Sequence, residues 1–497
     1  MPSPHASFWP RFFLRWREAL IAYLVTVVAG VLFLCMSNGG DLFLYTRYAS
    51  TAREHGLSGL YKRETVEYPP LATAFIVAVD RASSMFPLSD CALTRLKTYQ
   101  APPLLREYKI AHRCTMLVIF LITVWLVRRL CAGCLPEDSK WERFQRLSLF
   151  LAASVLSGYV LLDRLDLALA ALIAGSLALL TRGRPTLSLV VLAAAIAFKL
   201  APIVLVPIWL LGCLPATGLQ FRQMRLALGR LSLLASCVAL FCLPMYFVAG
   251  IRSLEFWNYH RIRGIEYESS YAAILFALKP FGCPAALRAA FGSADVESPL
   301  APAMLHAAPL LVVLSGAAVF LLCVLGVRGT PLKPKRETFG QAYPQVFTVA
   351  TLLAMLCLVL FNKVFSPQYV VWLLPLIPLV PLQGKARTWF WGFALGFSGV
   401  TALIFPLWWK NVLGAEIPGE LGCLSGPGLL GTALLLARTA LLLAMIGTLW
   451  RWLLRTIGHK GNVHNHQERQ AASGRFHALP RSTRWLRIVL KSVRDLS

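Results

Sequence analysis

Long apolar runs recur along the chain, separated by short polar segments that carry most of its charge. A helix needs about 20 consecutive apolar residues to cross a bilayer. The apolar runs predict ten such helices, at 18–37, 112–130, 147–162, 166–181, 228–249, 305–326, 344–362, 365–382, 388–408 and 427–450.

Two further apolar stretches are unsuited to a single regular crossing. Asp80 and Arg81 interrupt 69–86, and Lys199 and two prolines interrupt 187–212. We expect 69–86 to lie along the outer surface and 187–212 to form a hairpin of two short helices with Lys199 at its tip. The predicted fold class is therefore an all-α polytopic membrane protein with about 12 transmembrane helices.

Charge sets the orientation of these helices. The net charge of +26, from 49 Lys and Arg against 23 Asp and Glu, would suggest nucleic acid in a soluble protein. In a membrane protein, surplus Lys and Arg mark the cytoplasmic loops, so we expect no nucleic-acid partner. Five basic segments are placed on the cytoplasmic side with both termini: 128–146, 182–184, 222–230, 328–336 and 385–387.

This layout predicts three regions. They are a cytoplasmic N-terminus (1–17), a transmembrane domain (18–455) with outer loops 38–111 and 250–304, and a basic cytoplasmic tail (456–497). Within the tail, 482–496 fits an amphipathic helix on anionic lipid or a disordered basic segment. The composition, rich in Ala and Leu with few charges, favours a bacterial plasma membrane.

Several acidic and basic residues fall on the predicted outer face. Asp41 follows the first helix beside Gly39-Gly40. It either contacts a substrate or is an ordinary solvated loop residue. Asp163 and Asp166 flank Arg164 in a very tight connection, and one Arg–Asp pair would account for only one of these acids. Lys199 interrupts an apolar stretch at a cost of roughly 2.5–3.5 kcal/mol at a helix centre, so it faces an anion or polar cavity, or else snorkels to the interface.

Two more outer segments combine cations with aromatic residues. The first, 257–269, holds His260, Arg261 and Arg263 near two glutamates, a pattern suited to gripping a phosphate. The second, 362–369, offers Lys363 with an amide and aromatic rings, which suits a phosphate next to a sugar. Arg438 lies near the middle of the last helix and must find an anion or a carbonyl.

Four motifs, in this order, resemble a known family: Tyr68-Pro69-Pro70-Leu71, Lys199-Leu200-Ala201-Pro202, the Tyr259-His260-Arg261 to Ser269 run, and Ser366-Pro367-Gln368-Tyr369 with Trp372 to Pro375. Together they resemble the GT-C superfamily of polyprenyl-phosphate-sugar-dependent glycosyltransferases. The nearest group is glycosyltransferase family 87 (DUF2029-like), which includes mannosyltransferases. The resemblance covers roughly residues 20–410. It implies a GT-C-type helical bundle with surface-lying helices in a long first outer loop.

The resemblance also implies a reaction. Asp41 takes the position of the catalytic carboxylate, a general base that deprotonates an acceptor hydroxyl. The acceptor oxygen then attacks the anomeric carbon of a hexose, which leaves its polyprenyl phosphate with inversion of configuration. The family implies that this hexose is mannose. The residues expected to bind substrate or phosphate are Lys199, His260, Arg261, Arg263, Lys363, Gln368, Tyr369, Asp163 and Asp166. The expected partners are the polyprenyl-phosphate sugar donor, a lipid or glycan acceptor and membrane lipid.

No cofactor or metal ligand is expected, although a divalent cation stays an open question because Asp41 lacks the neighbouring second acid of many GT-C enzymes. The competing functions are a secondary transporter and a lipid-linked glycan flippase or polymerase. A transporter typically shows repeated halves with a site at mid-membrane, and the chain shows no internal repeat. A flippase would share the polyprenyl ligand without needing a base at Asp41.

Overall fold

The computed structural model describes residues 8–34, 41–85, 103–217, 221–291, 293–328, 337–408, 423–424 and 426–472. Apart from one small sheet, the regular structure in these ranges is helical, as predicted. The predicted amphipathic segment 482–496 lies outside the described residues, as does the Asn38–Gly40 turn before Asp41.

The helices of the first half are α1 (Phe8–Leu34), α2 (Asp41–Arg63), α3 (Pro70–Met85), α4 (Pro103–Cys134), α5 (Lys140–Leu156), α6 (Val160–Asp163), α7 (Asp166–Thr181), α8 (Pro185–Phe198) and α9 (Val206–Cys213). A 3-10 helix, Ala201–Leu205, precedes α9.

The second half contains α10 (Phe221–Ala249), α11 (Glu255–Ile262), α12 (Ser270–Leu278), α13 (Ala301–Arg328), α14 (Phe339–Ala342), α15 (Pro344–Phe361), α16 (Tyr369–Leu373), α17 (Gly384–Ala402) and α18 (Leu429–Ala472). Shorter 3-10 turns lie at Gly250–Leu254, Lys279–Phe281 and Ile377–Leu379, and a π-helical turn at Leu403–Leu407. The strands are β1 (Ala286–Ala290), β2 (Ser293–Glu297) and β3 (Cys423–Leu424).

Six of these helical segments are long and apolar enough to cross a membrane: Glu107–Cys134, Gln223–Ile262, Ala301–Val327, Pro344–Phe361, Gly384–Leu407 and Leu429–Ile457. They indicate a multi-pass integral membrane protein. Six shorter apolar helical segments of 10–17 residues accompany them: Glu18–Leu34, Asp166–Thr181, Pro185–Phe198, Ala201–Cys213, Ser270–Phe281 and Tyr369–Leu379.

The prediction of about 12 transmembrane helices is therefore wrong. The described part of the chain has six helices of sufficient length, because backbone breaks shorten the others. Gly158, at φ +55°, separates α5 from α6, and Arg164 is extended between α6 and α7. Lys199 is extended at the end of α8, with φ −158° and ψ 133°, before a proline-containing 3-10 turn.

The core consists of two apolar clusters. The larger one contains buried residues of α4, α7, α8 and α15, together with Phe365 and Tyr369. The smaller one joins α12, the sheet and the first turns of α18, and includes Ile265 and Tyr267. The sheet has the strand order β2-β1-β3, with Ala286 opposite Glu297 and Leu287 opposite Leu424 in antiparallel pairs. The polar segments 263–269 and 362–368 meet where the two clusters adjoin.

Candidate functional site

Asp41 is the first residue of α2, and its carboxylate is surrounded by donors. It forms an ion pair with Arg164, and Oδ2 accepts hydrogen bonds from the hydroxyls of Tyr45 (3.4 Å) and Tyr68 (3.3 Å). Tyr45 lies one turn along α2, and Tyr68 precedes the Pro69-Pro70 pair at which α3 begins. A carboxylate at a helix N-terminus is also stabilised by the helix dipole. These contacts surround the Asp41 carboxylate with one guanidinium and two hydroxyl groups.

Both tyrosines are neutral donors. Burial raises the pKa of Tyr45 well above its ordinary value, and burial does the same for the pKa of Tyr68. Their hydroxyl oxygens lie 3.3 Å apart, so they form one hydrogen-bonded group with Asp41.

Arg164 connects Asp41 to three further acids. Its side chain is only 12% exposed. Burial lowers the pKa of Arg164 to about 10, and this effect is opposed by the carboxylates of Asp166, Glu268 and Glu266. The guanidinium therefore stays charged at neutral pH, next to Asp41 and within the field of these acids.

Asp163 points elsewhere. Its Oδ1 accepts a hydrogen bond of 2.6 Å from Nε of Arg113, a fully buried residue of α4, and Nη1 of Arg113 also donates to the carbonyl of Phe33 at 2.6 Å. This pair ties α4 to the end of α1 and to α6. The geometry is that of a buried structural ion pair.

Asp166 and Lys199 form the second part of the site. Nζ of Lys199 donates to Oδ1 of Asp166 at 2.6 Å, and Nε1 of Trp372 donates to the same oxygen at 2.5 Å. The ammonium lies 5.4 Å from the ring centroid of Tyr369 and 5.1 Å from that of Trp372, and these rings stack at 4.0 Å. An anion and two aromatic faces thus offset the cost of this lysine in an apolar surrounding.

The segments 263–269 and 362–368 are bonded directly to each other. Nζ of Lys363 donates to the carbonyls of Arg261 (3.0 Å) and Arg263 (2.5 Å). Glu266 accepts from the backbone N–H of Phe365 at 2.8 Å and forms a 3.6 Å ion pair with Arg263. Burial raises the pKa of Glu266, and Arg263 opposes that rise. These contacts hold Lys363 and Arg263 at one edge of the cluster.

Arg438 of α18 finds both an anion and a carbonyl, in the same residue. Its Nη1 donates to Oε2 of Glu268 at 3.0 Å, and Nη2 donates to the Glu268 carbonyl. Glu268 also accepts from the Tyr267 hydroxyl at 2.6 Å, and the guanidinium lies 4.0 Å from the ring centroid of Phe365. The last long helix is thereby fixed to the site.

His260 and Arg261 occupy the end of α11. His260 lies edge-on to Tyr259, at 5.5 Å between centroids, and beside the backbone carbonyl of Glu67. The Glu67 carboxylate lies beside the Tyr259 hydroxyl. Arg261 is exposed and has no acidic partner within the described ranges. Gln368 turns back on Ser366, whose hydroxyl donates to Oε1 of Gln368 at 2.6 Å.

Most of the residues singled out in the sequence thus come together, from five separate segments. The set placed in the cluster is Asp41, Asp166, Lys199, His260, Arg263, Lys363 and Tyr369, with Gln368 at its margin. Arg261 contributes its backbone carbonyl to Lys363 while its side chain is exposed, and Asp163 bonds to Arg113. The selection missed Arg164, Tyr45 and Tyr68 as contacts of Asp41. The sequence analysis also did not identify Glu268 as the partner of Arg438. The position of Glu268 close to Glu266, in a segment predicted to bind phosphate, could have indicated a role for it in the site.

Within the described residues, no group of three or more His, Cys, Asp or Glu side chains is arranged to hold a metal ion. No protein-family model matches the chain, and no curated protein matches it.

Proposed function

We propose that the protein is an inverting GT-C-type glycosyltransferase. It would move a hexose, mannose by resemblance, from a polyprenyl phosphate to a hydroxyl of a lipid or glycan acceptor at the outer face of a bacterial plasma membrane. One observation carries the proposal. A carboxylate, Asp41, stands within hydrogen-bonding reach of hydroxyl donors and is paired with the largely buried guanidinium of Arg164 in a membrane protein.

Asp41 is the general base in this proposal. An acceptor hydroxyl that replaces Tyr45 or Tyr68 as donor to Oδ2 is placed to give up its proton to the carboxylate. As that proton moves to Asp41, the acceptor oxygen forms a bond to the anomeric carbon. General-base catalysis needs a donor–acceptor distance of about 2.6–3.2 Å first and a suitable protonation state second. The tyrosine hydroxyls lie slightly farther from Oδ2, at 3.3–3.4 Å, and support the proposal by marking the side of Asp41 on which a hydroxyl approaches.

The leaving group requires positive charge. When the bond between the anomeric carbon and the phosphate oxygen breaks, the electron pair stays on the phosphate, and fixed cations stabilise it. Lys199 and Arg263 already contact carboxylates. The ammonium of Lys363 donates to two backbone carbonyls and forms no ion pair with a carboxylate among the described residues, so in this proposal it is the cation offered to an entering phosphate.

Other parts of the site suit the rest of the donor. The stacked rings of Tyr369 and Trp372 offer an aromatic surface next to Lys199, which suits a sugar beside a phosphate. The apolar helices around the cluster suit a polyprenyl tail. A flippase for lipid-linked sugars would use the same cations and apolar surfaces, but it would not need Asp41 as a base.

The test is a transfer assay with purified protein in lipid nanodiscs, radiolabelled polyprenyl-phosphate mannose and a lipid acceptor extract. We expect wild-type protein to transfer label and Asp41→Asn to lose about 100- to 10,000-fold, the usual contribution of a general base. Glu54→Gln, an exposed change on the same helix, should leave the rate unchanged. Full transfer by a folded Asp41→Asn variant would contradict the assigned base. No transfer by wild type from any polyprenyl-phosphate hexose would contradict the proposed reaction.

A further inference from the structure

Residues 251–262, which follow α10, leave four apolar side chains exposed. The exposed fraction is 71% for Ile251 and 58% for Trp257, and Leu254 and Ile262 are exposed as well. The opposite side is packed: Ser253 and Phe256 are buried, and the Tyr259 hydroxyl donates to the carbonyl of Phe291 at 3.1 Å. We call the exposed set Ile251, Leu254, Trp257 and Ile262 the α11 apolar face.

The length of this region places the α11 apolar face at the boundary of the bilayer. The apolar helical segment Gln223–Ile262 has 40 residues, about 60 Å at the rise of an α-helix, whereas the hydrocarbon core is about 30 Å thick. Arg222, Arg225 and Arg230 lie at its start, and the uncharged run 231–249 alone spans about 28 Å. Gly250, at φ +61°, then ends the regular helix. Residues 251–262 therefore begin where the hydrocarbon ends.

The face continues an exposed apolar surface of a helix long enough to cross a membrane. The second half of α10 exposes Leu240, Leu243, Tyr246 and Phe247. The α11 apolar face begins four residues later, and Trp is a residue favoured at the membrane–water boundary.

Charge around the face matches a phosphate-bearing surface. Arg252 and Arg261 are exposed on the same segment, and Lys62 and Arg63 are exposed at the end of α2. Nη1 of Arg252 donates to the Lys62 carbonyl at 3.5 Å, which brings Arg252, Lys62 and Arg63 close together. Glu255 is the exposed acid within residues 251–262. Basic side chains next to apolar ones can keep their heads at headgroup level while their stems cover apolar surface.

We propose that residues 251–262 form an interfacial segment that seats its apolar face in the headgroup layer of the bilayer, with Arg252 and Arg261 on lipid phosphates. The backbone carbonyl of Arg261 accepts a hydrogen bond from Lys363 of the candidate site. Contact between residues 251–262 and the headgroups therefore places the candidate site at headgroup depth. The partner is the anionic lipid surface. The inference does not depend on the transferase proposal.

The test is photocrosslinking from benzoylphenylalanine in the full-length protein, reconstituted in nanodiscs of equal parts phosphatidylglycerol and phosphatidylcholine. The probe replaces Trp257, Phe256 or Leu240, and lipid adducts are measured by mass spectrometry. We expect adducts from position 257 and from position 240, a lipid-facing control that is 63% exposed. Position 256, which is 6% exposed on the packed side of the same helix, should give none.

The lipid composition of the adducts tests the charge argument. The ratio of phosphatidylglycerol to phosphatidylcholine adducts should be at least about twofold higher at position 257 than at position 240, because nearby basic residues concentrate anionic lipid. Arg252→Gln combined with Arg261→Gln should remove that difference. Lipid adducts from position 240 alone, equal ratios at the two positions, or adducts between two protein chains from position 257 would overturn the proposal.

Discussion

Among single side chains, Arg164 is the cation in direct contact with Asp41, and it is itself influenced by Asp166, Glu268 and Glu266. The proposed base is therefore paired with a neighbour that the sequence places 123 positions away.

This contact predicts a loss of activity. In Arg164→Gln, the Asp41 carboxylate loses its ion-pair partner, so the transfer rate should fall. Arg164→Lys should keep more of the wild-type rate, because it retains the positive charge. The measurement is the transfer rate of each variant in nanodiscs. Full transfer by a folded Arg164→Gln variant would show that the contact between Arg164 and Asp41 is not needed for the reaction.

Residue types near motifs were predictable, whereas their partners were not. Lys199 was expected to need an anion, and Asp166 supplies it at 2.6 Å. The Asp163-Arg164-Asp166 run suggested a local Arg–Asp pair, but Asp163 bonds to Arg113 and Arg164 to Asp41. Charge pattern along a chain indicates the side of the membrane. It carries no information on which distant charges are brought together by packing.

At the scale of secondary-structure elements, the Glu268–Arg438 pair attaches α18 to the segment before α12. Arg438 is 1% exposed, so its loss would leave Glu268 as a buried acid without its cation. Breaking such a pair by removing one member costs about 3–5 kcal/mol.

We therefore expect Arg438→Met to lower the free energy of unfolding of the purified protein by about 3–5 kcal/mol. The loss should appear as a clearly lower thermal unfolding midpoint. Arg451→Gln is the matched control, since Arg451 is exposed on the same helix and should change stability little. Equal midpoints for Arg438→Met and wild type would mean that the pair does not hold α18 in place.

The same element predicts how stability depends on pH. Burial raises the pKa of Glu268 from an ordinary 4.5 to about 7, and Arg438 opposes that rise. A raised pKa means that the folded state holds this proton more tightly than the unfolded state. The stabilising contribution is complete below about pH 4.5 and decreases as pH rises towards 7.

Glu268→Gln should remove this contribution. The unfolding midpoint of the wild type is expected to fall more steeply between pH 5 and 7 than that of Glu268→Gln, with equal slopes above pH 8. Arg438→Met should extend the decline to higher pH, because the opposing cation is gone. Parallel curves for wild type and Glu268→Gln from pH 5 to 8 would contradict the proposed titration.

For the whole molecule, composition and hydropathy were enough to predict a helical membrane protein. They were not enough to predict the number of long membrane-spanning helices. The run 166–181 matches a buried 16-residue helix, α7, which packs between α4 and α8. An apolar run of this length fits a buried core helix as well as a crossing. Because the breaks at Gly158, Arg164 and Lys199 depend on local backbone conformation, hydropathy alone overestimated the number of long helices.

At this scale the central claim is a single displacement in which Asp41 takes the acceptor proton while the phosphate leaves from the opposite face of the sugar. The most direct measurement is the anomeric configuration of the first transfer product, determined by NMR with a donor of known configuration. This displacement predicts a product of opposite configuration to the donor. A product with the donor's configuration would contradict it, because a single in-line displacement always inverts the anomeric carbon.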